Sequence, residues 1–449
     1  MTLSLLGCQG EGGTGTALPD LDPPGSNDRP WDAPINPDKP DNLDGLAPGS
    51  GAKPDPSLAI SWTTSFLGRP DSADFKAVAS DPSGGVVIGG YLGSRQGDFA
   101  GLPTSGSALL IRLDATGQVI WAKTFGGSSE DIIFGVAVRT DGSIVAVGDV
   151  TSTDGGLPAS RGTHDAVALL VSPEGEVIWV KTFGGSDFDG FRAVTLGSDG
   201  SILVAGFIDS DDADLGTNPG GGSVVAKLDQ DGELIWIKNA VAKGVYFSAI
   251  TTDGQGNLVV AGSAETSPDS GGALVARLNH NGDPLWVKTF RGDLYDQFHT
   301  VAVSPRDGIV VAGELLSDSG ELPPSQGGYD AVLANLSLDG EVVWAKTSGG
   351  ANTSESIWSL AIDAGGGVVA VGWMGPVRAD LGPQDGLILR LDRAGSITWE
   401  KTLGGSGGAG LAALTAVKDG FVAVGGSASQ DGDIPVPAGQ TAVFAVKLV

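Results

Sequence analysis

The sequence predicts an all-β fold: a seven-bladed β-propeller of four-stranded antiparallel blades, closed by one N-terminal strand that completes the last blade. Three observations predict it. A strand with a central tryptophan, clearest in Glu176-Val177-Ile178-Trp179-Val180-Lys181-Thr182-Phe183-Gly184-Gly185, recurs around Trp121, Trp236, Trp286, Trp344 and Trp399, with a worn copy at Trp62. These tryptophans lie 59, 58, 57, 50, 58 and 55 residues apart, a period of the size that marks repeat architectures. Between successive copies stand three further strand signals, and the count leaves an incomplete unit at each end of the chain.

One unit shows the plan. Residues 133–138 read as a first strand, ended by the Thr140-Asp141-Gly142 turn. Residues 144–147 are an unbroken apolar run, as expected of a strand buried on both faces. A loop spans residues 149–164, and residues 165–171 form a third strand. Ser172-Pro173-Glu174-Gly175 then turns the chain into the Trp179 strand. The same turn recurs as Asp114-Ala115-Thr116-Gly117, Asp229-Gln230-Asp231-Gly232, Asn279-His280-Asn281-Gly282 and Asp392-Arg393-Ala394-Gly395. A short polar side chain there bonds the backbone, and the glycine supplies a positive φ. Each unit is thus a four-stranded meander with two apolar faces, and stacked meanders of this length close into a propeller.

Six complete units end at Trp121, Trp179, Trp236, Trp286, Trp344 and Trp399. A seventh begins at residues 411–417, continues at 421–424 and stops after 442–449, a third strand. Its missing fourth strand is supplied by Leu58-Ala59-Ile60-Ser61-Trp62-Thr63-Thr64-Ser65-Phe66 at the other end of the chain. Closing the ring this way removes two exposed sheet edges. The propeller therefore covers residues 58–449.

The preceding residues read differently. Residues 9–57 are punctuated by Gly-Gly-Thr-Gly, Asp-Pro-Pro-Gly and Asn-Pro-Asp-Lys-Pro-Asp, with few apolar residues and no strand or helix period, which predicts a disordered spacer. Residues 1–8 end in Leu5-Leu6-Gly7-Cys8, which resembles a bacterial lipobox, in which the Cys becomes the lipidated first residue after signal cleavage. Seven residues without a basic start are too few for a signal peptide, so a truncated remnant with its true start upstream is expected. An incidental surface cysteine is the alternative. No apolar run reaches the ~18–20 residues of a membrane span, so any attachment to a membrane is expected through lipid alone.

Lys and Arg number 26 against 54 Asp and Glu, a formal charge of −28. Such a surface repels phosphate backbones, which argues against nucleic-acid binding. It tolerates bound cations and suits an extracellular location.

Asp165-Ala166-Val167 through Glu174-Gly175, Trp179 and Gly184-Gly185 resembles the bacterial β-propeller repeat (SBBP) family, with partial matches at Ala226-Lys227-Leu228-Asp229 and Asp330-Ala331-Val332. The resemblance implies a secreted or surface-exposed bacterial propeller without shared catalytic residues. Leu113-Asp114-Ala115-Thr116-Gly117-Gln118-Val119-Ile120-Trp121 is also similar to the tryptophan-docking motif of pyrroloquinoline-quinone dehydrogenases. Those have eight blades and metal ligands with no counterpart here, and the shared turn and inter-blade Trp are structural in both.

Candidate chemistry is sparse. The fourth-to-first and second-to-third loops share one face and are the longer ones, which makes that face the expected binding surface. Just before the first strands stand Asp74, Asp131, Asp189, Asp296 and Glu355. Pointing inward they would form a carboxylate ring at the channel mouth, able to hold a hard cation; pointing into their own blades they would cap turns. Asp209, Asp211, Asp212 and Asp214 look like the opening of a calcium loop without its glycine and closing Glu. Calcium is the one cofactor considered. His164, His280 and His299 show no metal-ligand spacing, and no nucleophile motif is present. Trp358 and Trp373 exceed one Trp per blade and either stack on a sugar or fill the core. The expectation is a monomeric, non-enzymatic binding scaffold for a protein or glycan, on the outer membrane or secreted. A polysaccharide-acting hydrolase or lyase is the alternative.

Overall fold

The computed structural model describes residues 59–69, 73–103, 106–212, 221–239, 244–267, 270–304, 308–363, 365–377 and 382–449. Cys8 and the spacer at 9–57 lie outside them. The described residues form seven four-stranded antiparallel sheets, each a consecutive meander except the last. The first strands, in ring order, are Asp74–Ser80, Asp131–Val138, Asp189–Leu196, Val245–Thr252, Asp296–Ser304, Thr353–Ile362 and Ala409–Val417, and each neighbours the next around the central channel. The blades they open are numbered one to seven.

The second and third strands carry Val, Ile, Leu and Ala on both faces, so each sheet buries its surface only against its neighbours. Seven apolar clusters result, one in each inter-blade gap. The gap between blades two and three, for example, is filled by Val145, Val147, Ala168, Phe191, Val204 and Ala226. Each such aliphatic side chain taken fully from water contributes about 1.5–3 kcal/mol, and it does so only when the adjacent blade is in place.

The outer-strand tryptophans lock blade to blade. Six of the seven rings, all but that of Trp399, lie under the glycine of the third-to-fourth-strand turn of the following blade. A Cβ at Gly232 would come 2.8 Å from the Trp179 ring, and one at Gly395 2.5 Å from Trp344. The turn glycines sit at φ near +80°, so they serve both the turn and the ring above it. The indole N–H donates to a carbonyl of the same turn: Trp121 to Pro173 (2.9 Å), Trp179 to Gln230 (3.2 Å), Trp286 to Leu338 (2.9 Å), Trp344 to Arg393 (3.2 Å) and Trp62 to Ala115 (3.3 Å). Trp236 packs likewise beneath Gly282.

Blade seven closes the ring. Strand Ile60–Gly68 pairs antiparallel with Thr441–Leu448, from Ile60 opposite Leu448 to Gly68 opposite Thr441. Where the other blades have a covalent turn, this one has the seam between residue 59 and the end of the chain. Ala59 N donates to Val449 O (2.8 Å) and Val449 N returns to Ala59 O (3.0 Å). Phe66 fastens the closing strand to blade one through an edge contact with Phe75 and a stack on Phe99. Trp399, whose following turn is this seam, is the most buried of the set at 3% exposed, packed with Leu448, Phe444 and Ile60.

Two backbone irregularities repeat. The outer strands bulge at the residue before the Trp, leaving Ile120, Ile178, Ile235, Leu285 and Val343 exposed on blades one to five, while blades six and seven have Thr398 and Ser61 there. The first strands also bulge, at the third or fourth residue in six blades and at the sixth, Trp358, in blade six.

Deleting residues 59–68 should expose the apolar Thr441–Leu448 edge and shift the chain toward larger assemblies or aggregate. Size-exclusion chromatography with light scattering reads this, and a truncated chain with the parent's mass and heat stability would contradict the closure. Trp399→Ala should cost about 3–5 kcal/mol in urea unfolding, more than the half-exposed Trp62→Ala.

Candidate functional site at the channel mouth

The fourth-to-first and second-to-third loops meet on one face and are tied to each other by carboxylates. Asp131 is fully buried. Its Oδ1 accepts the amides of Thr151 and Ser152 (both 3.0 Å), and its Oδ2 accepts the Gly127 amide (3.0 Å) and the Ser152 hydroxyl (2.7 Å). Asp189 repeats this with Asp209 N, Ser210 N, Gly185 N and Ser210 Oγ at 2.6–3.1 Å. Asp296 holds the amides of Leu316 and Ser317 (3.0 and 3.1 Å). These three carboxylates thus spend their lone pairs within their own blades.

The other two members of the proposed ring differ, for reasons visible in the register. In the first strands of blades two, three, five and six, Asp131, Asp189, Asp296 and Glu355 each stand three residues before the bulge; in blade one that place is held by Ala73. Asp74 is one residue later, which turns its side chain to the other sheet face, where it pairs with Lys76 at 2.7 Å. Placing Asp74 with the others is corrected accordingly. Glu355 is in register, but Pro376 stands where Ser152 offers an amide and a hydroxyl, and Glu355 Oε2 has no hydrogen-bond partner. Burial, with repulsion from Asp330 and Glu400 behind it, pushes its carboxyl up to about 8.

The acidic loop of blade three is similarly committed. Asp212 Oδ1 accepts the Ser186 amide (2.9 Å) and hydroxyl (3.1 Å), as Asp154 does for Ser128 and Asp431 for the Ser406 amide. Asp209 accepts Gly222 N at 3.2 Å, and burial raises its pKa. Asp211 is also engaged, and Asp214 lies outside the described residues. Among the described residues no three His, Cys, Asp or Glu side chains are grouped to hold a metal ion.

What the carboxylates support is a second ring. In every first strand the cross-strand register skips one residue: Lys76, Phe134, Arg192, Ser248, His299, Trp358 and Ala412. A bulge re-aims the extra side chain and is common beside functional sites. All seven are half-buried, whereas the residue before each is buried. Bulged residues of adjacent blades also touch: the Arg192 guanidinium lies 3.9 Å over the Phe134 ring, and His299 stacks on Trp358 at 4.6 Å. They line the channel mouth.

Two polar groupings flank this ring. Between blades two and three, Arg192 Nη1 donates to Asp149 Oδ2 at 3.2 Å, and His164 Nδ1 lies 3.7 Å from the same oxygen while its ring stacks on Phe188. Between blades five and six, Gln297 Nε2 donates to Glu314 Oε1 at 3.0 Å, and His299 Nε2 lies 3.6 Å from Glu314 Oε2. Burial raises the Glu314 carboxyl, but the hydrogen bond and charge of His299 outweigh it and leave it below the ordinary value. Glu314 and Glu355 are therefore pushed apart in ionisation. They do not face each other, because Glu355 and Ser356, which is beside Glu314, point to opposite faces of one strand. Trp373 is buried at 1% exposed, and Trp358 carries its ring to the mouth beside His299. Next to Trp358, blade seven contributes the small residues Gly410, Ala412 and Gly426.

Neither histidine grouping was visible as a motif. Each pairs a bulged residue with a second-strand carboxylate some distance along the chain, and only the variation at the bulged position of the first strands could have signalled it.

No family model matches the chain. Regulatory protein FlaEY of Caulobacter vibrioides is 24% identical over 355 residues, 75% of this chain; the chain spans 34% of that protein. Among solved structures, virginiamycin B lyase from Staphylococcus aureus is similar at 10% identity, covering 86% of this chain and 99% of that one, with a TM-score of 0.49. Sqt1 from Chaetomium thermophilum matches at 15% identity over 87% of this chain and 99% of its own, with a TM-score of 0.46.

Glu355 gives a pH test. Burial raises its folded pKa to about 8 from the ordinary 4.5 of a glutamate. Its neutral form thus favours the folded state fully below about 4.5, and that contribution is lost as pH rises through about 8. Urea stability should fall across this window by roughly a few kcal/mol, at about 1.4 kcal/mol per pKa unit. Glu355→Gln should flatten this part of the profile; an unchanged slope would contradict the assignment.

Proposed function

We propose that this chain is a non-enzymatic bacterial binding propeller, monomeric, secreted or held at the cell surface by a lipidated Cys8, that takes a protein or glycan ligand at the channel mouth. One observation carries the reading. The tryptophans, turn glycines and inter-blade aliphatics repeat from blade to blade, but the seven bulged residues do not: Lys, Phe, Arg, Ser, His, Trp and Ala stand at one equivalent position. Repetition serves the scaffold, whereas a ring of seven different side chains at the end of a channel suits recognition of an asymmetric ligand. The residues of blade seven are small, and aromatic or charged groups stand at the equivalent position of five of the other six blades, with Ser248 in blade four.

The chain's path supports an outward-facing mouth. It enters the propeller at residue 59, level with the third-to-fourth-strand turns, on the face opposite the mouth. A spacer and anchor attached there would leave the binding face free.

The reading is tested by capture on the immobilised full chain from envelope extract and from a glycan library. Phe134→Ala with Trp358→Ala should lower capture of the same ligand at least about tenfold, whereas Ile178→Ser on the outer rim should not. Equal loss, or none, in both variants would overturn it. Palmitate labelling in cells should be abolished by Cys8→Ala; persistent label would remove the anchor.

A further inference from the structure

The blade-two and blade-three side of the mouth contains an arginine whose best donor edge is unused. Arg192 is raised by its bulge into a setting where its side chain is 11% exposed, with its guanidinium carbon 3.9 Å over the Phe134 ring and 4.8 Å over Phe207. Asp149 occupies Nη1 alone. Nε and Nη2 have no hydrogen-bond partner, and neither do Asp149 Oδ1 and His164 Nδ1 nearby. Nε–H and one Nη2–H point in parallel along one side of the guanidinium plane. That two-donor fork is the edge that carboxylates and phosphates accept side-on.

Leaving such donors buried and unsatisfied is costly, the more so when the group is charged. The site is nevertheless held rigidly. His164 O accepts the Asp189 amide at 3.0 Å, Asp189 is one of the carboxylates that tie the loops, and the His164 ring lies against Phe188, which stacks on Phe207. The unpartnered donors are therefore framed by apolar rings and a fixed backbone.

We infer that the Nε–Nη2 edge of Arg192, with His164 beside it, is a carboxylate-binding site at the channel mouth, and that the carboxylate belongs to a slender group, as at a peptide C-terminus or on a small aliphatic acid. The ring faces beside the guanidinium favour a flat two-oxygen anion lying in its plane over a tetrahedral one. The near-complete burial of the fork favours a thin carboxylate stem over one mounted on a wide sugar ring. This rests on the mouth being the binding face, and it specifies one chemical group within it.

Isothermal titration of the full chain with acetate and with N-acetylglycylglycine, against acetamide and the peptide amide, tests it. Both acids should bind and both amides should be at least tenfold weaker. Arg192→Lys keeps the charge beside Asp149 but loses the fork, and should weaken acid binding roughly ten- to a hundredfold, the equivalent of a lost charge-assisted hydrogen bond. The double variant Arg192→Gln, Asp149→Asn removes both charges together, so that folding is kept while the acids no longer bind. Equal binding of acids and amides, or unchanged binding in Arg192→Lys, overturns the site. Binding by inorganic phosphate or by glucuronate in preference to both acids overturns the flat, slender ligand. Ligand capture that depends on Phe134 and Trp358 but is indifferent to Arg192→Lys would remove this site and leave the mouth as the binding face.

Discussion

A β-sheet with two apolar faces cannot exist alone in water, and every blade of this protein is such a sheet. Val, Ile, Leu and Ala on both faces of the middle strands require a neighbour on each side, and the only finite arrangement of identical two-faced units is a ring. The seven inter-blade clusters are therefore the source of the fold as well as of its stability. The tryptophans add direction to this. Each indole reaches one way around the ring, from an outer strand to the next blade's turn, so that stacking angle and spacing are set by a hydrogen bond and a ring contact as well as by packing.

The mouth face is stiffened by different means. Asp131 and Asp189 join the loop that enters a blade to the loop that follows its second strand, Asp296 holds the latter loop to the start of its first strand, and Asp154, Asp212 and Asp431 make a second tie between the two loops. Much of the chain's acidity near this face is thus internal wiring. It leaves the bulged residues as the variable part of an otherwise fixed frame.

The fold was legible in the sequence because its cause is periodic: a Trp strand every 50–59 residues, Asp-x-x-Gly turns, and an orphan strand at one end that completes a three-stranded blade at the other. The carboxylates were legible as a recurrence, but their orientation was not. Asp74 and Asp131 differ by a single register position, which depends on where a bulge falls, and no side-chain pattern marks that. The Arg192 and His299 groupings were less legible still. Arg192 meets Asp149 across 43 residues, and Glu314 meets His299 across a strand pair, so both arise only when neighbouring strands and blades are superposed.

The seam of blade seven has a mechanical meaning. The closing strand runs from Ile60 near the turn face to Gly68 near the mouth, and its hydrogen bonds to Thr441–Leu448 lie across that direction. If the chain is held at its N-terminal side while something pulls at the mouth, tension runs along the strand. All of its rungs are then loaded together in shear and none is peeled first. A load applied sideways at residue 59 would instead unzip the same ladder one pair at a time. The single non-covalent joint of the ring is thus strong along the axis joining an anchor to a ligand and weak across it.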